Sequence, residues 1–115
     1  MKKLCAIRDV CRALGEYEQD FLNVHTISLN EGMVLCSLKE KRLSSGEIAK
    51  QINLTCSNTS KLIRNIEDKG LIERVMGEED RRQMYFSLTQ KGFEMINAIE
   101  NDNIPLSGPL KKLVK

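Results

Sequence analysis

Apolar positions follow helical spacing over most of this chain and switch once to alternation. Leu4, Ile7, Cys11, Leu14, Glu18, Phe21 and His25 step by alternating three and four residues. That spacing predicts a helix of roughly six turns whose apolar members form one stripe. Ser28 precedes a second apolar segment with Leu29, Met33, Val34, Cys36 and Leu38, and Glu31 three residues on completes a capping box. Apolar residues occupy most faces there, so this helix is expected to be central, with Cys36 in the core. Ser44 and Glu47 repeat the device ahead of Ile48, Ala49 and Ile52. Asn53 and Leu54 read as a turn, and Thr55 as the N-cap of a helix reaching about Lys69 with Leu62, Ile63 and Ile66 inward. Gly70 then suits a left-handed C′ position and Leu71 the apolar C″ that a Schellman ending prefers.

After Gly70 the period changes. Leu71 to Met76 is apolar and β-prone, and Gln83 to Leu88 alternates with Met84, Phe86 and Leu88 on one face. The polar Gly77-Glu78-Glu79-Asp80-Arg81-Arg82 between them predicts a hairpin. Thr89 is placed to cap a further helix with Phe93, Ile96 and Ile99, ending at Pro105. Leu106, Leu110, Leu113 and Val114 return to helical spacing, with Pro109 suited to a first helical turn. A helix so short is marginal alone and should be docked, on the N-terminal helix of a partner, or frayed. The fold class expected is mainly α with a small β-hairpin, an α+β arrangement in one domain over residues 1–115.

Composition changes this picture little. The 115 residues are 41% hydrophobic and 30% charged, ordinary for a globular chain with one core. Eighteen Lys and Arg against sixteen Asp and Glu leave a net charge of +2, so any polyanion signal must come from where charges sit. Arg8, Asp9 and Arg12 interrupt the N-terminal segment, so no signal peptide is expected there, and no stretch is expected to span a bilayer. A cytoplasmic location and no membrane partner are expected. Cys5, Cys11, Cys36 and Cys56 lack C-x-x-C spacing and His25 is the one histidine, so no metal, no cofactor and free thiols are expected. A phosphate-binding glycine loop and a paired-carboxylate site are also missing, which argues against an enzyme.

The chemistry concentrates between residues 54 and 92. Two helices joined across Gln51 to Thr55, the second polar at its start, make a helix-turn-helix. Ser57, Asn58 and Ser60 can reach base edges in a major groove, and Lys61 and Arg64 can reach phosphates or guanine. Small polar groups at a helix start also serve as caps, and Thr55 is assigned that role. At the hairpin tip Arg82 is the candidate for a minor groove and Arg81 for a phosphate. Asp80 would accept bonds from tip amides or hold an arginine and so position the wing. A solvated charge cluster is the competing account of that tip, since acids precede the arginines. Cys5 and Cys11 on the first helix, and Cys56 at a helix start that favours a thiolate, are candidates for a redox switch beside an inert reading.

Asp80-Arg81-Arg82 followed by Ser87-Leu88-Thr89-Gln90-Lys91-Gly92 resembles the D-x-R wing and L-T-x-x-G of the MarR family of bacterial winged-helix regulators. Thr59-Ser60-Lys61-Leu62-Ile63 and Glu67-Asp68-Lys69-Gly70-Leu71 are similar to its recognition helix. The resemblance covers nearly the whole chain. It implies a winged helix-turn-helix with an N-terminal dimerisation helix at 1–27, a core at 28–92, and C-terminal helices at 93–115 that contribute to dimerisation. It further implies a homodimer on a pseudo-palindromic double-stranded DNA operator, acting as a repressor. The recognition helix would be about 56–69 and the wing about 77–82, with release by a small-molecule effector or an oxidant. Two features depart from the family pattern: both terminal helices are short, leaving less wall for a ligand pocket, and Arg64 stands where an acid is frequent. The rival expectation is a winged-helix adaptor or antirepressor that contacts protein and not DNA.

Overall fold

The computed structural model describes residues 2–114, and of Cys56 the backbone alone. The elements are α1 (Lys2–His25), α2 (Leu29–Ser37), α3 (Ser45–Ile52), α4 (Cys56–Asp68), β1 (Ile72–Met76), β2 (Met84–Leu88), α5 (Gln90–Glu100) and α6 (Gly108–Leu113). They group into two compact units, Met1–Leu29 with Asp102–Lys115, and Asn30–Asn101.

In the first unit α6 packs along α1, with Ser107 and Pro109 lying beside Asp9, Arg12, Ala13 and Glu16. The C-terminal helix therefore docks on the first helix of its own chain. It buries Leu110 and leaves Leu113 and Val114 exposed. The stripe expected on α1 is only partly realised. Ala13, Phe21 and His25 are buried, whereas Leu4, Ile7, Cys11 and Leu14 face solvent. A six-residue partner covers less than two turns, too little for the whole stripe. At its C-terminal end α1 stops abruptly at Thr26, whose φ of 62° is left-handed. His25 Nε2 meets Asp102 Oδ2 at 2.6 Å, the Phe21 ring lies 4.7 Å from the imidazole, and Asp102 Oδ1 accepts the Ile104 amide. Burial raises the pKa of the Tyr17 phenol, and the negative charge of Asp102 adds to the effect.

The second unit is built around Val34, Leu35, Leu38, Leu43, Ile48, Ile63, Ile66, Leu71, Phe86, Leu88 and Ile96, all buried. Cys36 belongs to the solvent side of α2 instead of the core, together with Met33. With apolar residues around most of α2, periodicity could not choose its inner face. The α3 capping box is complete: Ser44 Oγ accepts from Glu47 N and Glu47 Oε1 accepts from Ser44 N. Strands β1 and β2 pair antiparallel with Ile72 opposite Leu88 and Met76 opposite Met84. A bridge the alternation pattern did not reveal joins Leu43 to Phe86 through both backbone bonds. α5 ends at Glu100, five residues before Pro105, and the side-chain amide of its C-cap Asn101 folds back to Asn97 O. Proline limits how far a helix can run, and this one stops earlier for a local reason.

The end of α4 is tied to the start of α5. Gly70 has a φ of 75°, its N–H donates to Glu67 O, and Leu71 N donates to Ile66 O, which together are the Schellman pattern. Thr89 then bonds back twice, its N–H to Leu71 O at 3.1 Å and its Oγ1 to Gly70 O at 2.6 Å, while Lys91 Nζ reaches Lys69 O. Thr89 Oγ1 also accepts the Gly92 amide and caps α5. A Cβ on Gly92 would lie 2.1 Å from Leu71 O, so only glycine lets the helix start this close.

Gly92→Ala is therefore expected to cost about 2–3 kcal/mol through overpacking, and Gly70→Ala about 1 kcal/mol for its left-handed φ. Urea unfolding of the two variants checks the order; equal losses would contradict it. The Ser44 amide and hydroxyl hold the Glu47 carboxyl below its ordinary value of 4.5. Its contribution to stability is thus complete above that value and disappears as pH falls through the lower folded value. Glu47→Gln should flatten stability between those two pH values, as read from denaturation midpoints across an acid series.

Candidate nucleic-acid interface

α3 turns into α4 through Asn53, whose left-handed φ of 55° lets its N–H return to Ala49 O, and Leu54 N reaches the same carbonyl. Thr55 then caps α4, its Oγ1 accepting the Asn58 amide and its carbonyl the Thr59 hydroxyl. Thr59, Ile63 and Ile66 point inward and Leu62 is half-buried. The opposite face carries Ser57, Asn58, Ser60, Lys61 and Arg64, all exposed. Every residue expected to meet a groove from this helix thus shares one solvent face, because the buried positions recur at helical spacing.

The hairpin tip is a four-residue turn in which Gln83 N donates to Asp80 O at 3.0 Å. Arg81 and Arg82 occupy its central positions and are both exposed. Asp80 Oδ1 accepts from Arg82 N at 2.9 Å and from Arg82 Nε at 3.2 Å, the contact expected of it from sequence. The Arg82 side chain nevertheless remains 92% exposed. Below the tip Gly77 N donates to Gln83 O, and a Cβ on Gly77 would lie 2.6 Å from Asp80 O. The narrow neck of the turn needs that glycine.

Charge in this unit is sorted by pairing. Lys39 bonds Glu100, Lys69 bonds the buried Glu31 at 3.1 and 3.2 Å, and Arg74 forks onto Glu67 at 2.9 and 3.2 Å. The Glu67 bonds hold the Arg74 guanidinium above its ordinary range, as the Glu100 bond does for Lys39. Lys61, Arg64 and Arg81 make no ion pair among the described residues. The same holds for Lys41, Arg42, Lys50 and Lys91 and for the acids Glu78 and Glu79 beside the tip, so unpaired cations stand on the outer face of α4 and, with those two acids, at the hairpin tip. This is the charge placement that a net value of +2 conceals.

Sequence reading missed Glu67 and Arg74. Arg74 also lies over the Phe86 ring, 5.5 Å from its centroid, so it joins α4 to both strands. The two residues lie across a helix end and a turn, where no within-element spacing applies; opposite charges flanking Gly70 were the only hint. Of the cysteines, Cys5 and Cys11 are free and exposed on α1, and the side chain of Cys56 lies outside the described residues. Among the described residues no three His, Cys, Asp or Glu side chains are grouped to hold a metal ion. No described helix is long and apolar enough to cross a membrane.

Known proteins are similar to this chain. The chain is 30% identical over 74 residues to the exopolysaccharide II synthesis transcriptional activator ExpG of Rhizobium meliloti (strain 1021), covering 64% of this chain and 38% of that protein. It is 22% identical over 76 residues to the HTH-type transcriptional regulator SarZ of Staphylococcus haemolyticus (strain JCSC1435), covering 65% and 52%. The chain thus spans about half or less of these relatives. A solved structure of a point mutant of S. aureus MepR superposes with a TM-score of 0.73 at 26% identity, over 82% of this chain and 71% of that one. The MarR family model matches residues 27–84, from the end of the first unit through α4 and into the hairpin, and the chain belongs to that family.

Proposed function

We propose that this chain is a transcriptional regulator that binds double-stranded DNA sequence-specifically, as a homodimer on a two-fold operator. The observation that carries this reading is the placement of Lys61, Arg64 and Arg81, cations without carboxylate partners among the described residues, on the outer face of α4 and the hairpin tip. Ser57, Asn58 and Ser60 supply the short donors and acceptors suited to base edges, and Lys61 and Arg64 the phosphate or guanine contacts. Arg82, steadied by Asp80, enters a narrow minor groove, and Arg81 meets the backbone. ExpG and SarZ are named as transcriptional regulators, which supports the same class and no enzymatic reaction.

A second copy of the chain is the proposed partner of α1. Leu4, Ile7 and Leu14 are 64%, 52% and 39% exposed, and Leu113 and Val114 on or beside α6 are 67% and 55% exposed. Apolar side chains repeated along a helix in this way suit burial against another protein surface. A homodimer would place two α4 helices about one DNA turn apart.

Selection from a random duplex pool by the purified protein tests the reading: a two-fold motif with half-site centres about 10 base pairs apart is expected. Failure to bind duplex at any salt would instead favour a protein–protein adaptor. Arg82→Ala should weaken binding to many sequences and lower the slope of log affinity against log salt by about one. Unchanged affinity at low and moderate salt would remove Arg82 from the interface. Asn58→Ala should broaden the selected motif more than it weakens non-specific binding; recovery of the wild-type motif by the variant would contradict a base-reading role.

A further inference from the structure

We propose that Glu67 and Arg74 are positioning residues that lock the hairpin to the reading helix, so that α4 and the wing meet DNA as one rigid unit. The proposal rests on the DNA-binding reading above. An isolated two-stranded hairpin is marginally ordered in water, and β1 and β2 form a sheet of only two strands. Its base is fastened at Gly70, Leu71 and Thr89, and the Leu43 bridge holds the free edge of β2 at its middle, at Phe86. Those contacts hold the root and the β2 edge, and leave the β1 side, which neighbours α4, to side chains.

Arg74 supplies that restraint. It sits at the middle of β1 opposite Phe86, stacks over that ring, and forks onto the last turn of α4 through Glu67. A bidentate guanidinium–carboxylate pair fixes orientation as well as distance, which a lysine point charge cannot do. Arg64, one turn before Glu67, and Arg74 line the same hollow of about 280 Å³ between the helix and the wing. Glu67 is otherwise out of place: an acid beside two cations on a DNA-facing helix opposes binding on charge grounds alone. Its retention of Arg74 gives it a purpose that charge does not.

The two accounts of Glu67 predict opposite signs for Glu67→Gln. Charge alone predicts tighter binding and a steeper salt slope. Positioning predicts binding about tenfold weaker, equivalent to about 1.4 kcal/mol, to the duplex that wild-type protein selects from a random pool. The probes are that duplex, a random-sequence duplex, and the selected duplex with G·C pairs at the A·T positions beside the major-groove contacts. Glu67→Gln should lose A·T-over-G·C discrimination at those positions while keeping its major-groove base preference. Arg74→Lys should lose the same discrimination at wild-type salt slope, since its charge is retained. The exchanged variant E67R/R74E, with wild-type net charge, should regain part of it. Thermal melting of each variant separates misfolding from mispositioning, and Arg74→Lys keeps the test open should Glu67→Gln fail to fold. Wild-type protein that binds no duplex overturns the DNA-binding reading and this inference with it. Wild-type binding together with unchanged or tighter binding by Glu67→Gln, or full discrimination by Arg74→Lys, overturns the inference alone.

Discussion

The candidate interface depends on how the chain leaves α4 at Gly70 and Leu71. There the left-handed glycine turns the backbone out of the helix, and the freed carbonyls of Lys69, Gly70 and Leu71 are taken up by residues that arrive after the hairpin. Unpaired carbonyls at a helix end are costly when desolvated, so satisfying them from one short segment closes the loop through β1 and β2. Leu88-Thr89-Gln90-Lys91-Gly92 is that segment. Its threonine bonds both Gly70 and Leu71 and also caps α5, and its glycine admits the Leu71 carbonyl at a distance no Cβ allows. A sequence motif thereby becomes a fastener: it sets where the hairpin begins and ends relative to the helix beside it.

Ion pairs shape the charge of the same unit. Carboxylates engage Lys39, Lys69 and Arg74 within the unit, and Asp80 engages Arg82 while leaving the arginine in solvent. Those exposed on both sides, Lys39–Glu100 and Arg82–Asp80, contribute little to stability individually. Lys61, Arg64 and Arg81 take no part in such pairs among the described residues and stand on the outer face of α4 and at the hairpin tip. The near-neutral chain can in this way present a cationic face without a cationic composition, and electrostatic steering depends on that local field.

Features that depend on neighbours in the chain were legible from sequence. The Ser44 and Thr55 caps, the Gly70 ending, the Thr89 cap and the Asp80–Arg82 contact each involve residues two to five positions apart, where backbone geometry brings them together. Features that depend on which surfaces meet were not. Cys36 could not be told from Leu35 by pattern, the Leu43 bridge requires a strand partner more than forty residues away, and Glu67 meets Arg74 only once the hairpin has folded back. The first helix shows the same boundary within one element: its periodicity gave the helix, but not which part of the stripe is buried, Ala13, Phe21 and His25 and not Leu4, Ile7 or Leu14. On the candidate surface the outward face of α4 was readable because burial there is periodic, while the restraint on the wing was hidden in a contact between elements.

The central claim is that α4 and the wing contact adjacent grooves of one duplex. Dimethyl sulfate protection on DNA bound by the wild-type protein tests it most directly, since the reagent reports guanine N7 in the major groove and adenine N3 in the minor groove. Two patches of N7 protection about one helical turn apart are expected, each beside a patch of N3 protection. Major-groove protection with uniformly reactive adenine N3, or no protection in either groove, would contradict it.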